Sequence, residues 1–216
     1  MLSSPTPLRQ LIIARHGETE WSRSGQHTGR TDIPLTPHGV DQAKKLGAAL
    51  KAYTFAKAFS SSIKRQYNTC CLAGLRDLVE IDEDLLEWNY GSYEGRTSAD
   101  IHKEDPGWSV FKDGSPGGES IMEIQQRADR FLSKILAIPG QVAVFSSGHM
   151  SRVLAARWLG LSAAEGRLFA LSTGSLSVLG YERDVRVVQT WNNTSHLTHP
   201  MHKGFYGKAH AHKSPQ

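Results

Sequence analysis

Leu11-Ile12-Ile13-Ala14-Arg15-His16-Gly17 is the stretch that decides the fold. Four apolar residues in a row read as a strand buried on both faces, which belongs in a parallel sheet covered by helices. The Arg and His that follow fall at its carboxyl end, where open α/β sheets hold their ligands. A second run of the same kind, Val142-Ala143-Val144-Phe145, leads into Ser146-Ser147-Gly148-His149. Two strand-end histidines, each beside a glycine that lets a ligand approach the backbone, point to one shared anion site.

Outward from these runs the pattern alternates strand and helix. Thr36-Pro37 reads as an N-cap with proline in the first turn, and Val40, Ala43, Leu46 and Leu50 follow at helical spacing. A short strand over 58–60 precedes a helix over 61–72 with Arg65 near its first turn, and 79–81 reads as another strand. Ser120-Ile121-Met122-Glu123 is a capping box, and Ile121, Ile124, Ala128, Phe131 and Ile135 line the face of the helix it starts. Pro139-Gly140 stops that helix, 141–145 is a strand, and a helix over 150–159 ends at Gly160. Segments 175–181 and 185–191 read as an antiparallel hairpin. The expected fold is α/β, a three-layer sandwich with a mostly parallel central sheet and helices on both faces.

Between Asp82 and Gly118 no periodicity is sustained and glycines recur, which predicts a functional lid or binding loop. Residues 1–10 read as a polar lead-in, 11–197 as one domain and 198–216 as a polar, mobile tail. His199, His202, His210 and His212 in that tail read as solvated side chains in preference to metal ligands.

Composition excludes several classes. At 216 residues and 39% hydrophobic, the chain can bury one sizeable core. The net charge of +4 comes from scattered Lys and Arg, with no long basic run and no aromatic interleaving, so no nucleic-acid partner is expected. The excess suits an acidic small-molecule substrate, and a homo-oligomer is compatible with it. No apolar run approaches membrane-spanning length, so no membrane partner is expected. Cys70 and Cys71 are adjacent, a spacing that strains a disulfide, and with no signal peptide in the sequence this points to the cytoplasm.

Arg15 beside His16 gives a bidentate phosphate clamp next to a nucleophile, and Arg65 is expected to enter the same crevice as a second fork. A cationic pocket keeps imidazole neutral, the state a nucleophilic His needs. His149 can donate to a phosphoryl oxygen. A leaving alcohol also needs an acid, and Asp84, Glu87, Glu94, Asp100, Glu104 and Asp105 are all available in the irregular stretch. Bare chemistry does not choose among them.

Arg15-His16-Gly17-Glu18-Thr19-Glu20-Trp21 resembles the signature of the histidine phosphatase superfamily, in its phosphoglycerate-mutase-like branch. Further landmarks follow in order: Thr28-Gly29, Leu35-Thr36-Pro37-His38-Gly39, Ser60 to Arg65, Leu86-Glu87, Tyr90-Gly91, Gly117-Gly118-Glu119-Ser120 and Ser147-Gly148-His149. Within the family, Glu20-Trp21-Ser22, the run from Gln26 to Thr36 and Glu87 to Gly95 look most like the sedoheptulose bisphosphatase group.

The resemblance implies a phosphomonoesterase in which His16 takes the phosphoryl group, while Arg15, Arg65 and His149 form the phosphate pocket. It makes Glu87 the proton donor and leaves Glu94 as a loop carboxylate tied to a neighbouring donor. Ser22, Thr28, Gly29 and Tyr90 match positions that contact substrate in the family, and Arg152, one turn beyond His149, is a further substrate-binding candidate. It implies a small-molecule phosphate ester as substrate, with no cofactor and no metal, because arginines supply the positive charge. Burial near Trp88 or Tyr90 is the expected device for keeping Glu87 protonated at the start.

Ser22 stands where mutases of the branch carry Asn, and the stretch from Arg96 to Gly118 is shorter and more acidic than theirs. A hydrolase is therefore favoured over a phosphoglycerate mutase. A non-catalytic phosphate-binding regulatory module is the reading from another class, and it has no use for an acid at Glu87. Arg23, Arg30, Arg96, Lys103 and Arg152 are the candidates to meet the second phosphate of a bisphosphate.

Overall fold

The opening apolar run forms β1 (Leu8–Arg15), the strand from which the rest of the sheet is read. The structure is a computed structural model that describes residues 8–198. Five more strands follow: β2 (Phe55–Ser60), β3 (Val79–Ile81), β4 (Gly140–Ser146), β5 (Leu176–Glu182) and β6 (Val185–Asn193). They form one sheet in the order β3-β2-β4-β1-β5-β6. The pairs from β3 to β1 are parallel, and β5 and β6 add an antiparallel hairpin to the free side of β1.

Helices cover both faces. They are α1 (Glu20–Ser24), α2 (Pro37–Leu50), α3 (Lys64–Leu72), α4 (Ser98–Ile101), α5 (Val110–Asp113), α6 (Ile121–Leu136) and α7 (Gly148–Trp158). Side chains along β1 alternate between two cores. Leu11 and Ile13 pack with α6, α7 and the segment after β3, while Ile12 and Ala14 pack with α2 and α3. On β4, Val142 and Val144 share the first core, and Ala143 and Phe145 the second. This alternation is the period-2 pattern of a strand buried on both sides, and it explains why the sequence shows unbroken apolar runs.

The caps form as the sequence predicts. Thr36 accepts from the Gly39 amide with Pro37 in the first turn, and Ser120 and Glu123 close a full capping box on α6. One expectation is corrected: β1 starts at Leu8, which is buried, so the end of the polar lead-in is strand. The stretch from Asp82 to Gly118, expected to be a functional lid or binding loop, is packed down by its own side chains: Leu85, Trp88, Tyr90, Ile101, Trp108, Val110 and Phe111 are buried in the first core. Its aromatic anchors and one-turn helices supply the apolar surface that periodicity failed to reveal. The tail histidines His199, His202, His210 and His212 lie outside the described residues. Among those residues, no helix is long and apolar enough to cross a membrane.

Candidate active site

The register of β1 against β4 pairs Arg15 with Ser146, so both histidine motifs leave the sheet side by side. The His16 amide donates to the Ser146 carbonyl at 3.0 Å, and α7 starts directly beyond it. A cavity of about 170 Å³ opens at these strand ends. Arg15, His16, Glu87 and His149 line it, together with Ser22, Thr28, Tyr90 and Arg152.

His16 is 3% exposed, and its Nδ1 lies 2.7 Å from the Gly17 carbonyl oxygen. A carbonyl only accepts, so Nδ1 carries the hydrogen and the Nε2 lone pair is free to attack. Burial holds His16 well below the usual histidine range, and the positive charges of Arg65 and Arg15 push the same way. The imidazole is therefore neutral at neutral pH.

Gly17 plays a different part from the one its position suggested. A Cβ there would sit 2.2 Å from the Gly39 carbonyl oxygen, so its bare backbone admits the start of α2, not a ligand. Gly148 does line the cavity, and a Cβ on it would stand 3.4 Å from the Arg15 guanidinium carbon.

Of the six acid candidates in the irregular stretch, Glu87 alone lines the cavity. Asp84 pairs with Arg130, Glu104 with Arg96, and Asp100 with Lys103. Glu94 accepts from the amides of Gly29 at 2.8 Å and Thr31 at 3.1 Å, as a loop carboxylate does. Glu87 is 3% exposed and caps α7, whose N-cap Ser147 makes no side-chain cap of its own. Its Oε1 accepts from the amides of Met150 at 2.8 Å and Trp88 at 2.9 Å, and its Oε2 from the His149 amide at 2.9 Å. A carboxylate offers about four lone-pair sites. The one left open is on Oε2, which fixes the oxygen from which Glu87 can pass a proton.

The two arginines differ. Arg15 donates from Nη1 to the Leu171 carbonyl at 2.5 Å, and its buried Nε has no partner among the described residues. Arg65 is fully buried but is not among the lining residues. Its Nη1 donates to the Thr31 carbonyl at 2.8 Å, and its Nη2 to those of Thr28 at 2.9 Å and Gly29 at 2.8 Å. Both prongs thus fasten the loop after α1, and a second fork aimed into the crevice is not what forms. Only Nε of Arg65 is left without a partner among the described residues.

Gly29 also stands back from the cavity, because a Cβ there would meet the Trp88 carbonyl at 2.4 Å. The Ser22 hydroxyl closes the capping box of α1 with Thr19. Arg152 donates from Nε to the Gly166 carbonyl at 3.0 Å and lies 4.5 Å over the Phe111 ring. The other candidates for a distal phosphate are paired: Arg23 with Glu20, Arg30 with Glu119, Arg96 with Glu104 and Lys103 with Asp100.

His27 also lines the cavity, a place the sequence reading did not assign to it. Its ring lies 4.7 Å from that of Tyr90 and 5.9 Å from that of His149, and Nε2 is 3.2 Å from Ser98 Oγ. Its position directly before Thr28-Gly29 was the one available signal.

Comparison with known proteins fits this geometry. The family described as histidine phosphatase superfamily (branch 1) matches residues 11–194. An acid phosphatase of Mycobacterium tuberculosis is 38% identical over 191 residues, covering 87% of this chain and 94% of that protein. The sedoheptulose 1,7-bisphosphatase of Saccharomyces cerevisiae is 35% identical over 191 residues, covering 73% of this chain and 70% of the relative. The solved structure of a functionally characterised open reading frame product of Mycobacterium tuberculosis superposes with a TM-score of 0.82 at 37% identity, over 85% of this chain and 97% of that one. Matched along nearly all of its described length by family, relatives and fold, the chain belongs to the histidine phosphatase superfamily, branch 1.

Proposed function

We propose that this chain is a metal-independent phosphomonoesterase that hydrolyses small sugar phosphates through a phosphohistidine on His16. The observation that carries the reading is the Nδ1 contact of His16 with its neighbour's carbonyl, which leaves Nε2 as a free nucleophile in a cavity shared with Arg15, Glu87 and His149. In the first step Nε2 attacks phosphorus, the P–O bond to the alcohol breaks, and Glu87 Oε2 gives its proton to the leaving oxygen. Arg15, with Arg65 behind it, and His149 offset the charge that builds on the phosphoryl oxygens. In the second step water attacks phosphorus, the N–P bond breaks, and the water's proton returns to Glu87.

A cavity of about 170 Å³ is small beside the roughly 300–1,000 Å³ of sites that enclose a larger ligand. It suits a phosphate with the first atoms of its alcohol, the rest of the sugar emerging at the rim. Arg152, which alone of the five distal candidates lines the cavity, is the group to meet a second phosphate. That placement, and the likeness to a sedoheptulose bisphosphatase, support a sugar bisphosphate as the preferred substrate. The free thiols of Cys70 and Cys71 suit the reducing cytoplasm.

The test is a brief incubation with phosphate-labelled substrate, quenched in alkali. An acid-labile label on His16, absent from His16→Ala together with phosphate release, supports the mechanism; full release by that variant overturns it. A panel of sugar mono- and bisphosphates, glycerate phosphates and nucleotides sets the substrate class. Phosphoglycerate isomerisation without net release would indicate a mutase, and silence across the panel a binding module.

A further inference from the structure

One polar contact in the cavity is used neither by the phosphoryl chemistry nor by the phosphate clamp. Tyr90 Oη lies 2.5 Å from Nδ1 of His149. The same Nδ1 is 3.9 Å from Glu87 Oε2, the oxygen with the one open lone pair. The nitrogen thus stands between a phenol and the acid, and its protonation decides what remains available on Glu87.

Tyr90 is 1% exposed, and its hydroxyl has no other partner among the described residues. Burial holds the phenol well above its ordinary range, so it keeps its hydrogen, and that hydrogen needs an acceptor. Burial also holds His149 well below the usual histidine range. The charges facing the ring act with it: Arg152 from its own helix, Arg15 from β1 and His27 from the loop after α1. A neutral imidazole has one N–H. If that hydrogen sat on Nδ1, the buried phenolic hydrogen would be left without an acceptor. If it sits on Nε2, the phenol donates to Nδ1 and both groups are satisfied.

We infer that Tyr90 is a positioning residue: by donating to Nδ1 of His149 it keeps that ring's N–H on Nε2 and stops Nδ1 from donating to Glu87 Oε2, so that the open position on that oxygen stays free to carry the proton the leaving oxygen takes. The inference rests on the reading of Glu87 as proton donor. The tautomer is observable without turnover, so it stands or falls separately from the phosphohistidine.

The experiment is nitrogen NMR on protein carrying ¹⁵N-histidine, with the His149 signals assigned by their loss in His149→Gln. In the unaltered protein at neutral pH, His149 shows a pyrrole-like Nε2 and a pyridine-like Nδ1, and it keeps that signature in His16→Ala. A protonated Nδ1 there overturns the proposal with no need of a Tyr90 variant. In Tyr90→Phe, Nδ1 gains a hydrogen from the Nε2 position or from solvent, and His149 titrates at higher pH. That variant loses up to about tenfold in kcat on alkyl phosphates, the scale of one hydrogen bond between neutral groups, with KM little changed. Its loss of kcat on an aryl phosphate, whose leaving group needs little protonation, is several-fold smaller. Equal loss on both substrates with the tautomer unchanged assigns Tyr90 a merely structural role and refutes the inference.

Discussion

Arg127 and Glu119 meet as a two-pronged pair, Nε to Oε1 at 2.6 Å and Nη2 to Oε2 at 2.9 Å, and through it the segment that holds Glu87 is fastened to α6. Nη1 of Arg127 also donates to the carbonyls of Asp84 at 2.7 Å and Leu86 at 3.0 Å, while Glu119 Oε2 accepts from the Asn89 amide at 2.8 Å. The backbone on either side of Glu87 is thus held from one buried guanidinium.

Arg127→Met leaves buried Glu119 with Arg30 at 3.7 Å as its one remaining cation among the described residues, and breaking a buried pair costs up to about 3–5 kcal/mol. Denaturant unfolding measures the loss. Arg127→Lys restores little of it, because an ammonium cannot reproduce a planar fork that reaches one carboxylate and the carbonyls of Asp84, Leu86 and Glu87. A lysine variant of full stability would show that the pair contributes charge alone.

Glu87→Gln keeps the shape of the side chain but cannot cycle a proton. Its rate on alkyl phosphates falls by roughly 10²–10⁴, and much less on an aryl phosphate. Glu87→Ala also uncaps α7 and lowers stability by about 0.5–2 kcal/mol, a loss that Gln limits by retaining one acceptor oxygen. Equal rate losses on both esters would move the acid elsewhere.

Stability falls as the solution is acidified through the weakly acidic range. In the unfolded chain His16 and His149 take up protons near pH ~6.5, whereas the folded chain keeps both neutral to well below that value. Between those limits the unfolded state binds more protons, so their contribution is complete above about pH 6.5 and is lost on going lower. The slope is up to about 1.4 kcal/mol per pH unit for each histidine. Unfolding midpoints recorded down to about pH 5 show it, and His16→Asn flattens the curve. An unchanged slope in that variant would mean that His16 is protonated in the folded protein.

Arg152→Ala raises KM for a sugar bisphosphate and leaves an aryl phosphate nearly unaffected, since the aryl ester has no second phosphate. The preference for bisphosphate weakens as salt rises, because charge at the rim is screened over about 8–10 Å. Equal hydrolysis of mono- and bisphosphates at every salt concentration would remove the bisphosphate preference and leave the phosphatase chemistry intact.

What the sequence made legible was whatever is written locally. Unbroken apolar runs marked β1 and β4, and the capping residues Thr36 and Ser120 marked α2 and α6, because those signals lie within a turn of the elements they start. α1, α4 and α5 escaped notice because none exceeds five residues, too short for a periodic stripe. The strand ends brought His16 and His149 together legibly. The direction of the Arg65 guanidinium was not legible, since it depends on carbonyls of Thr28 and Thr31 more than thirty residues away. Nor was Arg127 legible, because its partners at Asp84 and Leu86 are reached only through the folded chain.

The segment between β3 and α6 brings Glu87, the proposed acid, to the cavity and also buries Trp88, Tyr90, Trp108 and Phe111 in the core beneath it. Recognition and foldability are therefore not separable modules here, as they are in scaffolds whose loops lie on a finished core. A loop graft meant to change substrate preference would exchange part of the hydrophobic interior at the same moment. New specificities are more accessible, to a designer or to evolution, through single changes at cavity-facing positions such as His27 and Arg152 than by swapping the segment whole.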